Sequence, residues 1–324
     1  METKLVERIG IPFRTIPAAG VHGIGMRTLP RNLSQLGRGI FASRRILQEF
    51  KPDVLFFTGG YVAIPMALAG WKIPCLLFVP DIEPGLALKT LARFADKITI
   101  AAQDSFRYFQ HSGRITVTGY PTRSDLASWT RLTARQTLGL TDDSPVLLAF
   151  GGSKGARSIN HAVLVNLPAL LEKAQVIHIT GELDWPDIEA KMKVLSKAQL
   201  ARYHAFPYLH EEMGAALAAA DLALSRAGAS TLGEYPLFGL PAILVPYPYA
   251  WRYQKVNANY LVQHGAAVML EDATLTDQIL PVVNALLGEP QKLASMRLAM
   301  KSLSHPQAAA EISRQLLALG RERS

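Results

Sequence analysis

Eight short apolar runs, most of them followed by a turn and a helix-length segment, constrain the fold of this chain most strongly. The runs are Val54–Phe57, Pro74–Val79, Lys97–Ala101, Ile115–Thr118, Val146–Phe150, Val176–Ile179, Leu222–Leu224 and Ala242–Val245. Apolar runs without polar alternation are typical of parallel strands buried on both faces. The helix-length segments between them include Arg38–Phe50, His161–Leu171 and Met213–Ala220. This alternation predicts a series of βαβ units.

A polar stretch between Leu126 and Pro145 divides this series into two halves. A length of 324 residues suits one or two domains. We therefore expect an α/β protein of two Rossmann-like parallel-sheet domains that face a crevice. The first domain is assigned to residues 1–128 and is short by about one βαβ unit, and the second is assigned to residues 129–304.

The composition narrows the function classes. With 49% hydrophobic and 19% charged residues, the chain has the composition of a globular protein. A single cysteine, Cys75, excludes a disulfide framework and a multi-cysteine metal site. The sequence contains no apolar run long enough to span a bilayer and no signal-peptide pattern at Met1–Lys4. The net charge of +8 favours an anionic partner: a nucleic acid, an acidic membrane surface or a phosphorylated substrate.

Two glycine-rich segments follow predicted strands and begin predicted helices. In Phe150–Arg157, glycines allow close backbone approach and the helix start offers N–H groups to a phosphate, with the Ser153 hydroxyl nearby. This pattern predicts a pyrophosphate cradle, although a simple tight turn has the same residues, and the P-loop spacing is absent. In Ser225–Glu234, the Glu234 carboxylate could accept hydrogen bonds from vicinal ribose hydroxyls, or it could be a solvated helix carboxylate.

Two further segments carry candidate ligand groups. Pro246–Ala258 is rich in proline and aromatic residues, with Gln254 and Asn257 near the start of a helix, and could form a sugar platform or pack within its own domain. Arg123 ends the first half, where it could pair with a phosphate or form a surface salt bridge.

The segment Met26–Phe50 combines five arginines with apolar residues at helical spacing. Such a helix could lie on an anionic bilayer surface, or it could face the core with a solvated basic side. The candidate membrane-surface residues are Arg27, Arg31, Leu33, Leu36, Arg38 and Phe41. The sequence contains no His-Glu-x-x-His and no Asp-x-Asp motif, so we expect no metal and no other cofactor.

The motifs taken together carry a family resemblance. In chain order they are Thr58–Val62, Pro84–Leu86, Leu91–Asp96, Thr118–Arg123, Gly151–Ala156, Ser225–Thr231 with Glu234, Gly239–Pro246, and Gln254 with Asn257–Ala258. Their order and spacing resemble the MurG-type transferases of glycosyltransferase family 28, over essentially the whole chain. These enzymes are UDP-N-acetylglucosamine–N-acetylmuramyl-(pentapeptide) pyrophosphoryl-undecaprenol N-acetylglucosamine transferases.

The resemblance implies a GT-B fold and an inverting, metal-independent transfer of GlcNAc from UDP-GlcNAc to lipid I, giving lipid II for peptidoglycan synthesis. It implies a last segment, residues 305–324, that crosses back onto the first domain, and a peripheral location at the cytoplasmic face of the membrane. It also implies a set of substrate-binding residues. They are Arg123, Ser153, Leu209, His210, Ala229, Ser230, Thr231, Leu232, Gly233, Glu234 and Gln254.

The chain departs from the family pattern at several positions. The family's Gly-Gly-Thr-Gly-Gly-His loop, which carries the proposed general base, is expected upstream of Met1. The family's acceptor-side His-Glu-Gln-Asn segment is replaced by Phe78–Asp81, which leaves Asp81 as the candidate for acid–base chemistry. Tyr120, Lys154 and Tyr253 also stand where the family has other residues.

Three alternatives stay open from the sequence. The chain could glycosylate a different lipid acceptor, it could bind a UDP-sugar without catalysis, or its net charge could serve nucleic-acid binding. The expected partners are UDP-GlcNAc, a lipid-pyrophosphate acceptor and an anionic membrane surface, and not a nucleic acid.

Overall fold

The computed structural model describes residues 6, 10–18, 29–110, 112–140, 142–152, 155–249 and 252–321. Two parallel sheets organise this part of the chain. The first sheet has the order β1-β2-β3-β4. Its strands are β1 (Leu55–Phe57), β2 (Cys75–Val79), β3 (Lys97–Ile100) and β4 (Ile115–Val117).

The second sheet has six strands in the order β10-β9-β8-β5-β6-β7. The chain adds β6 and β7 on one side of β5, and β8, β9 and β10 on the other, so the strand order changes sides between β5 and β8. Its strands are β5 (Val146–Phe150), β6 (Gln175–Ile179), β7 (Tyr203–Phe206), β8 (Leu222–Ser225), β9 (Ala242–Leu244) and β10 (Ala267–Met269). All pairings are parallel, with Leu148 of β5 opposite both Ile177 and Ala223. This is a doubly wound arrangement, in which ligands bind beyond the carboxyl ends of the strands near the reversal.

Thirteen α-helices connect or cover these strands in the described part of the chain. They are α1 (Leu29–Phe50), α2 (Ala63–Ala69), α3 (Leu86–Leu91), α4 (Arg131–Thr137), α5 (Arg157–Lys173), α6 (Trp185–Met192), α7 (Lys197–Leu200), α8 (Met213–Ala219), α9 (Thr231–Phe238), α10 (Tyr253–Gln263), α11 (Leu275–Gly288), α12 (Pro290–Ser302) and α13 (Ala308–Arg321). Short 3₁₀ helices lie at Gln103–Tyr108, Ser112–Arg114, Ser124–Ser128 and Asp272–Thr274.

The predicted fold class is confirmed, and each of the eight apolar runs matches a strand to within one residue at either end. The central strands are buried along their whole length in β2, β6 and β8, as expected for parallel strands covered on both faces. The sequence reasoning missed β7 and β10. Both are edge strands with half-buried residues, so their composition lacks the continuous apolar signal.

The last helix, α13, lies against the first domain. Its Ile312 and Leu319 form a buried cluster with Leu76 and Phe78 of β2. His305, just before α13, fills the space in which Gly119 would carry a Cβ. The chain therefore returns from the second sheet to the first, whereas the exact boundaries at residues 128 and 304 stay predictions.

Candidate functional site

The loops that follow β5, β7, β8 and β9 lie at one edge of the second sheet, because the carboxyl ends of parallel strands share an edge. The loops after β2 and β4 of the first domain approach the same edge. One close approach is at Gly233 of α9, where an added Cβ would lie 2.8 Å from the Tyr120 ring and 3.0 Å from the Thr122 methyl group. We use the term crevice for the boundary between the two domains at this edge, where these loops and helix starts meet.

The glycine loop after β5 closes tightly onto the neighbouring strand. Gly152 and Gly155 have φ values of 89° and 74°, which favour glycine. The backbone of Gly155 lies so close to the Thr180 carbonyl that a Cβ would collide with it. Two of the predicted loop residues, Ser153 and Lys154, lie outside the described residues.

The loop after β8 leads into α9 by a tight first turn. The N–H groups of Thr231, Leu232 and Gly233 bond to carbonyls three residues earlier, and the Thr231 hydroxyl donates to the Gly228 carbonyl at 2.7 Å. The side chains of Thr231 and Leu232 are buried in the second domain. Of the predicted residues in this loop, Ala229 and Ser230 are therefore the ones whose half-buried backbone can meet a ligand.

Glu234 lies in the first turn of α9 and faces the crevice. Burial raises the pKa of its carboxyl, while the nearby Arg123 guanidinium and the Ser230 hydroxyl act in the opposite direction. A half-buried carboxylate beside a cation, at the start of a helix, is well suited to accept two hydroxyl hydrogen bonds.

Arg123 connects the end of the first domain to the loop after β7. Its guanidinium donates to the His210 carbonyl at 3.4 Å and lies 3.5 Å from the Asp125 carboxylate. The His210 side chain is exposed beside the Tyr208 ring, and Leu209 is half-buried against the core of the second domain. The structure therefore brings Arg123, Glu234 and the Leu209–His210 segment to the same crevice.

Gln254, in the first turn of α10, is the remaining predicted donor residue. Its side-chain oxygen accepts a hydrogen bond from the Tyr247 N–H at 2.8 Å. That contact connects the aromatic loop after β9 to the start of α10, and among the described residues the amide NH₂ of Gln254 has no hydrogen-bond partner.

The sequence analysis placed Asn257 beside Gln254 in a possible sugar platform, whereas in the structure its side chain bonds to protein groups. Asn257 is fully buried, and its amide donates to the Asp81 carboxylate at 2.8 Å and to the Ala227 carbonyl at 3.2 Å. Its side-chain oxygen accepts from the Ile82 N–H at 3.0 Å. One side chain thus joins the loop after β2 to the loop after β8, across the crevice.

Asp81 is held in this junction with its second carboxylate oxygen free of any hydrogen bond found among the described residues. Burial raises the pKa of Asp81, and the Asn257 hydrogen bond only partly offsets that effect. A carboxyl whose pKa is raised toward neutrality can exchange a proton with a substrate hydroxyl.

A second crossing contact was not predicted. Glu83 is 2% exposed and accepts two hydrogen bonds from the Arg252 guanidinium, at 2.6 and 2.5 Å. Lys89 lies 3.2 Å from the same carboxylate. The sequence gives little signal for this contact, because the partner of Glu83 is 169 residues away.

Tyr120 forms part of the crevice wall. Its ring packs edge-on against Phe78 with ring centroids 6.0 Å apart. Burial and the neighbouring carboxyl groups of Glu234 and Asp81 raise the pKa of its phenol. Tyr120 therefore stays protonated at neutral pH, between the two acids of the crevice.

The predicted membrane-surface segment, Met26–Phe50, contains α1, which begins at Leu29. Gly39 packs against Pro65 of α2, so this face of α1 is covered by protein. Phe41 is 75% exposed, Arg38 is exposed and Leu36 is half-buried. Arg27 and the side chains of Arg31 and Leu33 lie outside the described residues. Further exposed aromatic residues, Phe50 and Trp71, are 73% and 70% exposed.

No helix within residues 29–321, as far as they are described, is long and apolar enough to cross a bilayer. The same described residues contain no group of three or more His, Cys, Asp or Glu side chains arranged to hold a metal ion.

Two family models match the chain. The glycosyltransferase family 28 N-terminal domain matches residues 1–100, and the glycosyltransferase family 28 C-terminal domain matches residues 146–312. The two matches follow the division between the first and the second sheet.

Relatives match along nearly the whole chain. A UDP-N-acetylglucosamine–N-acetylmuramyl-(pentapeptide) pyrophosphoryl-undecaprenol N-acetylglucosamine transferase of Roseiflexus sp. (strain RS-1) is 40% identical, over 97% of this chain and 80% of that protein. A protein of the same name from Desulforudis audaxviator (strain MP104C) is 39% identical, over 95% of this chain and 84% of that protein. Among solved structures, Acinetobacter baumannii MurG superposes with a TM-score of 0.75 at 25% identity, covering 98% of this chain and 88% of that one.

Proposed function

The chain belongs to glycosyltransferase family 28, and we propose that it transfers N-acetylglucosamine from UDP-GlcNAc to N-acetylmuramyl-(pentapeptide) pyrophosphoryl-undecaprenol. This reaction converts lipid I to lipid II in peptidoglycan synthesis. The observation that carries the proposal is the crevice that joins Glu234, Arg123 and the loops after β5 and β8.

Recognition of the donor is assigned to the second domain. Glu234 would hold the two ribose hydroxyls, and the backbone near Leu209 and His210 would meet the uracil. The amide NH₂ of Gln254 would bind sugar hydroxyls, since its oxygen already accepts from the Tyr247 N–H. These roles agree with the charge and burial of each group.

The leaving UDP needs its developing negative charge stabilised. The start of α5, the N–H groups of Ala229 and Ser230, and the Arg123 guanidinium are the positive groups at the crevice, and together they are assigned to the diphosphate. In this proposal the protein itself supplies this stabilisation, and Ser153 adds a hydroxyl at the same loop.

The acceptor side is assigned to Asp81. In the proposed step, the acceptor hydroxyl oxygen bonds to C1 of GlcNAc, the bond from C1 to the UDP oxygen breaks, and UDP leaves with that electron pair. The hydroxyl proton moves to the free oxygen of the Asp81 carboxylate. Attack from the face opposite to UDP inverts the configuration at C1. The Asn257 hydrogen bond would keep the other carboxylate oxygen in place.

The lipid acceptor implies work at a membrane surface. We assign that surface to the exposed side of α1, where Phe41 and Arg38 lie together, and to the neighbouring Trp71 and Phe50. Exposed aromatic side chains beside arginines suit the interface of an anionic bilayer. The predicted location is the cytoplasmic face of the cell membrane, with the protein peripheral to it.

A transfer assay tests the proposal. Radiolabelled UDP-GlcNAc and the undecaprenyl-pyrophosphoryl acceptor should yield a labelled lipid product with the unchanged chain. Glu234→Ala should weaken UDP binding by about tenfold or more, because a charged hydrogen-bond acceptor is lost. Glu189→Ala, which removes an exposed carboxylate on α6, is the matched control and should bind UDP normally.

Two outcomes would overturn the proposal. UDP binding without any lipid product would favour a UDP-sugar-binding protein, and label transfer only to other lipids would identify a different acceptor.

A further inference from the structure

A fully buried histidine links two of the loops that border the crevice. His178 of β6 is 0% exposed, and both of its ring nitrogens have partners. Nδ1 lies 2.9 Å from the Tyr203 hydroxyl, and Nε2 lies 3.0 Å from the side-chain oxygen of Asn160. Burial lowers the pKa of His178 to about 3, so the ring is neutral under ordinary conditions.

The partners of Asn160 fix the tautomer of this ring. The Asn160 amide nitrogen lies 2.8 Å from the Thr180 carbonyl and 2.8 Å from the Asp184 carboxylate, and both of those groups can only accept. The Asn160 oxygen must then accept from His178, so the proton is on Nε2. Nδ1 is the unprotonated nitrogen and accepts from the Tyr203 hydroxyl.

This chain of hydrogen bonds ends at the turn formed by Thr180 and Gly181. On one side, the turn is in contact with the glycine loop, since Gly155 lies against the Thr180 carbonyl. On the other side, the Thr180 N–H donates to the Phe206 carbonyl and the Gly181 N–H donates to the Pro207 carbonyl, both at 3.0 Å. The turn is therefore a spacer between the glycine loop and the segment 207–210.

The first turn of α5 is attached at the same place. Asn160 lies in that turn, and its backbone N–H donates to the Ala156 carbonyl at 2.9 Å. A separate contact holds the opposite side of this first helical turn, where Arg226 donates to the Ser158 hydroxyl at 2.8 Å. The Asn160 side chain is thus the link from the start of α5 to the spacer turn.

We propose that His178 and Asn160 are positioning residues for the donor nucleotide. Their hydrogen-bond chain fixes the Thr180–Gly181 turn, and that turn sets the distance between the glycine loop and the segment 207–210. The inference rests on the proposed function, in which the glycine loop binds the diphosphate and the segment 207–210 meets the uracil. Backbone donors stabilise a ligand only when they are held in place, so loss of the chain should weaken nucleotide binding.

The test compares variants by calorimetric titration with UDP and by thermal unfolding. His178→Leu should raise the Kd for UDP by about tenfold or more, because the proton that orients Asn160 is lost. His178→Gln should stay within about threefold of the unchanged chain, since its amide N–H can replace the Nε2 proton. Tyr203→Phe should raise the Kd by an intermediate factor.

Asn166→Ala is the matched control for general destabilisation. Asn166 lies in the same helix, and its amide donates to the carbonyls of Ala162 and Thr276, neither of which belongs to the spacer turn. This variant should lower the Tm and leave the Kd for UDP unchanged. Nitrogen NMR of the unchanged chain should show His178 protonated on Nε2.

Each result separates the inference from the proposed function. If the unchanged chain does not bind UDP, the proposed function fails. If it binds and His178→Leu binds as tightly as Asn166→Ala, the positioning role is wrong. Should His178→Leu fail to fold, an unchanged Kd in Tyr203→Phe, or a proton on Nδ1, would overturn the role instead.

Discussion

The amide of Asn257 donates to the Asp81 carboxylate at 2.8 Å, and this hydrogen bond joins the two domains at the crevice. Asn257 is fully buried, and its remaining polar atoms bond to the backbone on both sides of the crevice. One side chain therefore fixes the position of the proposed base relative to the proposed donor pocket.

Replacement of Asp81 tests its proposed role as the base. Asp81→Asn keeps a side-chain oxygen that can accept from Asn257, but it cannot take a proton. We expect kcat to fall by about 10²- to 10⁴-fold, with the KM for UDP-GlcNAc little changed. Asp125→Asn is the control, because Asp125 is an exposed carboxylate beside Arg123.

The pH dependence of kcat should report the same group. Burial raises the pKa of Asp81 above its ordinary value of 3.8, so activity should begin to fall at a higher pH than for an exposed aspartate. The acidic limb of the kcat profile should be absent from the residual activity of Asp81→Asn. An identical limb in that variant would assign the proton transfer to another group.

The Glu83–Arg252 pair should favour the closed crevice at neutral pH. The Arg252 hydrogen bonds lower the pKa of Glu83 below its ordinary value of 4.5. A lowered carboxyl pKa stabilises the folded arrangement above pH 4.5 and loses that effect as the pH falls through the lowered pKa. Glu83→Gln should therefore increase the radius of gyration measured by small-angle X-ray scattering at pH 7.

The matched control for that variant is Glu271→Gln. Glu271 pairs with Lys255 at 3.2 Å, and both side chains are exposed and belong to the second domain. Its loss should leave the radius of gyration unchanged. Equal scattering curves for Glu83→Gln and Glu271→Gln would count against a closing role for the Arg252 contact.

Phe41 should contribute directly to membrane binding. Insertion of an exposed phenylalanine into the bilayer interface is worth about 1.5–3 kcal/mol when burial is complete. Phe41→Ser should therefore weaken binding to phosphatidylglycerol vesicles by up to roughly a hundredfold. The control is Leu298→Ser on α12, which removes a side chain of similar exposure, 71%, from the second domain. If both variants lose vesicle binding to a similar extent in co-sedimentation, α1 is not the contact surface.

His178 should make the stability of the protein fall in mild acid. Its pKa of about 3 is lowered from an ordinary value of 6.5, so the unfolded chain takes up a proton below pH 6.5 that the folded chain does not. The free energy of unfolding should fall by up to about 1.4 kcal/mol per pH unit below that point. Denaturant unfolding at pH 7 and pH 5 should show a smaller change for His178→Gln. His264→Gln, at an exposed histidine, should behave like the unchanged chain.

The sequence by itself determined eight of the ten described strands and the order of the loops that follow them. Continuous apolar runs such as Val146–Phe150 give buried parallel strands, and a glycine-rich turn after a strand can be recognised locally, because both depend on neighbours within about ten residues. The position of Glu234 near the start of a helix follows from the same local pattern. The family resemblance added the donor residues and the function.

Tertiary structure alone decided which distant side chains meet. Asp81 and Asn257 are 176 residues apart, Glu83 and Arg252 are 169 apart, and His178 and Asn160 come from different elements. No local periodicity encodes such pairs, because the first two depend on how the two domains meet and the third on how α5 packs against β6. Burial then raises the pKa of Asp81 and keeps His178 neutral, since the charged form of each group loses its hydration only when distant parts of the chain pack around it.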